Sequence, residues 1–141
     1  MRFELQAAAI FFLCSLLGCA DKGPALIPIN GKISFAGGPP PAAGRVTFTP
    51  VSDGSGGQAR PGTGHFDRDG VFHVTSFKKD DGLLPGKYQA NVICTTAQLT
   101  DSDPNAAEQY DIVPKNFMPP PITVDAKSPG VQVEIDVPKK K

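Results

Sequence analysis

The sequence predicts an all-β domain: a sandwich of about seven short strands. Three observations predict it. Apolar and polar residues alternate with period two in one segment after another. The 15 Gly and 15 Pro of the 141-residue chain gather between those segments. The final segment, VQVEIDV, alternates without a fault, as a strand does with one face in a core and one in water. Trp is absent and there are nine Phe, so the aromatic core must be built from Phe.

The strands follow in order. INGKISF (29–35) puts Ile29, Gly31, Ile33 and Phe35 on one face. AGGPPPAAG ends it, and RVTFTP (45–50) begins the second strand with Val46 and Phe48 inward. VSDGSGGQARPG is a flexible polar connection. TGHFD and VFHVT flank Arg68, Asp69 and Gly70, a three-residue hairpin loop in which Gly70 takes the left-handed conformation. That loop pairs Phe66 with Phe72 inside and His65 with His73 outside. GKYQANVICT (86–95) places Tyr88, Ala90, Val92 and Cys94 on one face. ITVDA (122–126) and VQVEIDV (131–137) flank KSPG, a second hairpin signal. Only DSDPNAAEQY (101–110) has helical character, one or two turns after Pro104.

Ahead of the strands, residues 1–18 have the layout of an export signal. Arg2 supplies a positive start, and residues 7–17 are apolar except for Cys14 and Ser15. The run is shorter than the roughly 20 residues that span a bilayer. It closes on Leu16, Leu17, Gly18 and Cys19, which resemble the bacterial lipobox. In that signal the cysteine thiol receives a diacylglycerol and the chain is cut before it. The expected organisation is a signal peptide over 1–18, lipidated Cys19 and a short linker over 19–28, a sandwich over 29–138 and a basic tail over 139–141. Nine extended linker residues reach roughly 30 Å, so the domain is held close to the membrane. Ala20 stands where an aspartate would mark inner-membrane retention, which implies the outer membrane of a bacterial cell envelope. With Cys14 discarded and Cys19 acylated, Cys94 has no disulfide partner and is expected to be buried and inert.

Four segments resemble the transthyretin-like, or carboxypeptidase regulatory-like, domains of short bacterial lipoproteins. They are INGKISFAGGPPPAAGRVTFTP, DRDGVF, DDGLLPGKYQANV and IVPKNFMPPPITVDA. The resemblance implies a seven-stranded Greek-key sandwich and a non-catalytic accessory module. It makes Asp69, Gly70, Gly82, Pro85, Gly86 and Tyr88 turn and corner residues. Gly82 and Gly86 permit backbone angles that other residues resist, and Pro85 pre-sets the turn. Tyr88 points inward, so its hydroxyl needs a partner. A hydrolase of purine degradation shares the transthyretin fold and closes on Tyr-Arg-Gly-Ser; this chain ends IDVPKKK and lacks that motif.

Little else carries chemistry. Lys+Arg and Asp+Glu are both 14, a balance that argues against nucleic acid as a partner. Phosphate loops, nucleophile elbows and zinc motifs are absent from the sequence, and no cofactor is expected. Asp67 and Asp69 begin like a calcium loop, but the twelfth position is Lys78 and not glutamate. Asp101, Asp103, Glu108 and Asp111 read as a solvated loop, and Lys139, Lys140 and Lys141 as a frayed end. His65 and His73 have the spacing to share one transition metal, but two ligands fall short of the four of a structural site. The expected function is a membrane-anchored structural or interaction module that meets an envelope protein or glycan. The alternative is a module binding a small ligand, carbohydrate or metal.

Overall fold

The computed structural model describes residues 25–51, 59–96 and 111–140. Seven strands run β1 (Ile29–Phe35), β2 (Gly44–Pro50), β3 (Gly62–Phe66), β4 (Val71–Thr75), β5 (Gly86–Cys94), β6 (Ile122–Val124) and β7 (Val131–Val137). The described residues contain no helix. The helical reading of 101–110, the export signal and Cys19 all lie outside them.

The strands form one mixed seven-stranded sheet in the order β6-β5-β2-β3-β4-β1-β7. It curls until it is nearly a barrel. Every pairing is antiparallel except β1 with β7, which runs parallel over all of β1, from Ile29 opposite Val131 to Phe35 opposite Val137. Inward residues from all seven strands join one core, among them Ile33, Phe48, Phe66, Phe72, Val92, Val124 and Ile135. The alternation sets this directly: β7 buries Val133, Ile135 and Val137 and exposes Gln132, Glu134 and Asp136.

Large rings are matched to missing side chains. Phe72 lies opposite Gly31, and Phe66 opposite Gly44. A Cβ on Gly31 would come within 2.3 Å of the Phe72 ring, and one on Gly44 within 2.4 Å of the Phe66 ring. Phe48 and Phe72 meet in the core with ring centroids 6.1 Å apart, tilted by 36°.

The β3–β4 register is the one that a loop of residues 68–70 demands, with Thr63 opposite Thr75 and Gly64 opposite Val74. Only those two pairs form. Nearer the turn β4 leaves β3 for β1, with Val71, Phe72 and His73 opposite Lys32, Gly31 and Asn30.

The second expected hairpin does not form. β6 pairs with β5, and β7 with β1, so residues 127–130 carry the chain from one edge of the sheet to the other. The local hydrogen bonds explain this. The Asp125 carboxylate accepts from Lys127 N at 2.9 Å and its carbonyl accepts from Ser128 N, which ends β6 early. Pro129 has no N–H to give a partner strand. Val131 N donates instead to Pro28 O, which delivers β7 to β1. The linker also ends sooner than expected, because Ile27 is buried and bridges Leu83.

Gly31→Ala should destabilise the domain by about 1–3 kcal/mol in denaturant unfolding, because its methyl overpacks Phe72 and the Val133 carbonyl. Gly38→Ala, whose nearest neighbour would be Phe35 O at 3.5 Å, should stay within about 0.5 kcal/mol of wild type.

Candidate functional site

The strand directions divide the loops between two ends. One end holds the point where the chain enters at Ile27, together with the β2–β3, β4–β5 and β6–β7 connections. The other holds the β1–β2 and β3–β4 connections, the end of β5 and the C-terminal tail. The candidate site residues fall on both.

At the entering end the DDGLLPGKY motif builds a closed corner. Asp81 folds back so that its carboxylate accepts from the amides of Ser76 (2.8 Å), Phe77 (3.0 Å) and Lys78 (2.7 Å). Asp80, itself at φ +57°, donates its amide to Thr75 Oγ1 at 2.9 Å. The Ser76 hydroxyl donates to Gly82 O. Gly82 sits at φ +90°, and a Cβ there would lie 1.9 Å from Ile27 O. Glycine is therefore required both for the angle and for the close pass of the incoming chain. Exposed Pro85 leads into Gly86, the first residue of β5. Tyr88 is fully buried, and its hydroxyl donates to Leu84 O at 2.9 Å. This is the geometry of a tyrosine corner, in which a tyrosine ties a strand to the backbone just upstream. Burial pushes its phenol up from 10.0.

At the opposite end Asp69 and Gly70 complete the β3–β4 turn. Asp69 Oδ1 accepts from Val71 N at 3.1 Å. Gly70, at φ +77°, donates to Asp67 O, and its own carbonyl accepts from Ile33 N. His65 and His73 are both exposed. His73 Nδ1 is 2.6 Å from Asn30 Oδ1, while His65 lies across from Arg45 on β2. No group of three or more His, Cys, Asp or Glu able to hold a metal occurs among the described residues.

Cys94 is buried, with its thiol directed at Ala42 O (3.4 Å) and Ala43 O (3.8 Å). Burial pushes the thiol up; the bond to Ala42 opposes this and the Asp111 charge adds to it. Such a thiol is a poor nucleophile. Asp111 is not a solvated loop residue. Its Oδ1 accepts from the amides of Cys94 (3.1 Å) and Val113 (3.0 Å). The basic tail is not wholly frayed either: Lys140 Nζ donates to Asp111 O at 2.8 Å. Asp101, Asp103, Glu108 and Lys141 lie outside the described residues.

A shallow groove of about 420 Å³ opens near the β3–β4 turn, lined by Lys32, Ser34, Pro39, Asp69 and Glu134. Beside it Asp136 Oδ1 accepts from Gly37 N (2.9 Å) and Ser34 Oγ (2.7 Å), which hold this carboxyl below 3.8. Two further features were not anticipated. Phe77 stands exposed in the β4–β5 loop, and the Arg60 guanidinium lies 4.9 Å above its ring centre. The signal was present in SFKKDDG (76–82), where one Phe is set among charges in a segment without strand alternation.

No protein-family model, curated protein or solved structure matches the chain at a significant level.

Tyr88→Phe removes one buried hydrogen bond and leaves the Leu84 carbonyl without its donor, so it should cost about 1–2 kcal/mol in denaturant unfolding. Acid should also destabilise the fold. Partial burial raises the Asp81 carboxyl, but the amides of Ser76, Lys78 and Phe77 outweigh this and hold it below 3.8. A carboxyl depressed in the folded state contributes stability above its unfolded value, and that stability is lost as pH falls through the folded one. Thermal midpoints should therefore drop below about pH 4, and Asp81→Asn should flatten that drop.

Proposed function

We propose that this protein is a lipid-anchored, non-catalytic module of the bacterial cell envelope, of the transthyretin-like type. An export signal over residues 1–18 would be cut ahead of Cys19, and acyl chains on that cysteine would hold the protein to the membrane, with Ala20 favouring the outer one. The observation that carries the reading is Leu16-Leu17-Gly18-Cys19 at the close of the apolar run. Seven residues, 20–26, separate that cysteine from Ile27, the first bridged residue. The fold is read as a Greek-key sandwich whose halves, β4-β1-β7 and β6-β5-β2-β3, are joined through the two residue pairs of β3 and β4. The brevity of that junction supports this division.

The carboxylates support a structural role. Asp69, Asp81, Asp111, Asp125 and Asp136 each accept from a backbone amide of the domain itself. Groups used in this way hold loops in place; the module then acts through the surface those loops present to an envelope protein. A second reading rests on the groove beside Lys32, Asp69 and Glu134, whose mixed charge suits a hydroxyl-rich ligand such as a glycan.

Cys19→Ala should move the protein from the membrane to the soluble fraction and remove the acyl mass from the intact protein. Wild-type protein that is soluble and carries no acyl group would overturn the anchor. Glycans that raise the melting temperature, with the rise abolished in Glu134→Ala, would favour the second reading over the first.

A further inference from the structure

We propose that the β4–β5 loop is a second membrane contact, with Phe77, Lys78 and Lys79 resting in the headgroup layer of an anionic phospholipid surface and Arg60 beside them. The proposal depends on the lipid anchor at Cys19 and adds an orientation to it.

The tether limits where the domain can go. Ile27 is fixed to Leu83 by two backbone hydrogen bonds, Ile27 N to Leu83 O at 2.8 Å and Leu83 N to Ile27 O at 3.0 Å. Only residues 20–26 lie between it and Cys19. Fully extended, they reach roughly 24 Å. The entering end therefore stays within that distance of the membrane. The β4–β5 loop packs on the same point, because Gly82 passes directly over the Ile27 carbonyl.

The loop has the chemistry of the interface. Phe77 is 44% exposed. It cannot turn into the core, because its amide and those of both neighbours are fixed on the Asp81 carboxylate. A rigid loop that offers an aromatic ring to solvent loses little conformational entropy when that ring is inserted. Arg60 stacked on the ring carries its charge at the depth where phosphates lie, and aromatic and cationic side chains share that layer. Lys78 and Lys79 are exposed beside it, and Lys87 and Lys127 stand at the same end. Two of the acidic groups there are engaged: Asp81 accepts its three amides, and Asp125 accepts from Lys127 N. Among the described residues of the loop, Asp80 is the carboxylate left at its surface. Val51, 38% exposed, belongs to this end as well, while Met118, 73% exposed, lies at the other.

Acyl chains already attach the protein, so the loop changes the tilt and depth of the domain and not its attachment. The test must read depth. The chain has no Trp, so Phe77→Trp and Met118→Trp are single reporters at opposite ends. Each full-length acylated protein is reconstituted into phosphatidylcholine vesicles with and without phosphatidylglycerol. Vesicle flotation and intact mass confirm the anchor first. With phosphatidylglycerol present, Phe77→Trp emission should shift to the blue and be quenched by acyl-brominated lipid, while Met118→Trp stays water-exposed. Lys78→Gln and Lys79→Gln should each weaken docking about fivefold in the anionic vesicles only. Protein that floats and carries acyl mass, but whose Phe77→Trp signal remains that of water, overturns the docking alone. Protein that neither floats nor carries acyl mass overturns the anchor and the docking together.

Discussion

Strand β1 is the constraint on which the rest of the sheet depends. It lies between β4 and β7, and among the described residues it is the only strand paired with β7. Its seven residues take seven partners on β7 in parallel and three on β4 in the opposite direction. Without it the first half of β4 and all of β7 would present unpaired amides and carbonyls over an apolar face, which is costly. The pairing also joins the first strand of the domain to the last. Contacts of such sequence separation form only after long loops have closed. The short-range devices, the tight β3–β4 turn and the β4–β5 corner, reduce what that closure must organise.

The corner has a second role in this scheme. Gly82 brings the β4–β5 loop over the incoming chain, and the Ile27–Leu83 bridge fixes that chain just before β1 begins. Tyr88 then ties β5 back to the same loop through Leu84. The carboxylate of Asp81 closes the loop from within. Five residues of one short motif thus align the entering chain, β1 and β5. A side chain on Gly82 would displace the incoming backbone itself, which is a change no rotamer can absorb.

The strands were legible because alternation is a local property. Each strand was found within a residue or two, and the β3–β4 register followed from the length of its turn. Partner choice was not legible in the same way. KSPG looks like a hairpin loop, yet β6 and β7 go to different neighbours, because Val131 N finds Pro28 O some hundred residues upstream. His65 and His73 illustrate the same limit. The register that would face them holds at Gly64 and Val74, but β1 takes over as the neighbour of His73, and Asn30 receives its ring nitrogen. Asp111 looked like one of several solvated acids; its role as acceptor for Cys94 N depends on where a long connection returns. At the corner the residue types were legible, since Gly, Pro and an inward Tyr have few other uses. The identity of the Tyr88 acceptor and the inward turn of Asp81 depend on how the folded loop closes and have no local signature.

The two ends of the sheet differ in a way that bears on how such a module could work. The entering end is tied by the corner, the Asp125 turn and the Ile27 bridge. The opposite end carries the β1–β2 and β3–β4 turns and the tail, with the groove beside Asp69 and Glu134. If the proposed anchor holds the first end against lipid, the second faces away from it at a distance set by the strands. β1 and β7 each have seven residues, which is about 23 Å of extended chain. The β1–β2 and β3–β4 loops would then stand beyond the headgroup layer while the tether remains short. A partner would then meet a surface already fixed in height and tilt, so less freedom is lost on association than for a domain on a long flexible stalk. On that reading a short tether and a rigid corner would be one device: the first would limit how far the domain can travel, and the second would determine which end it presents.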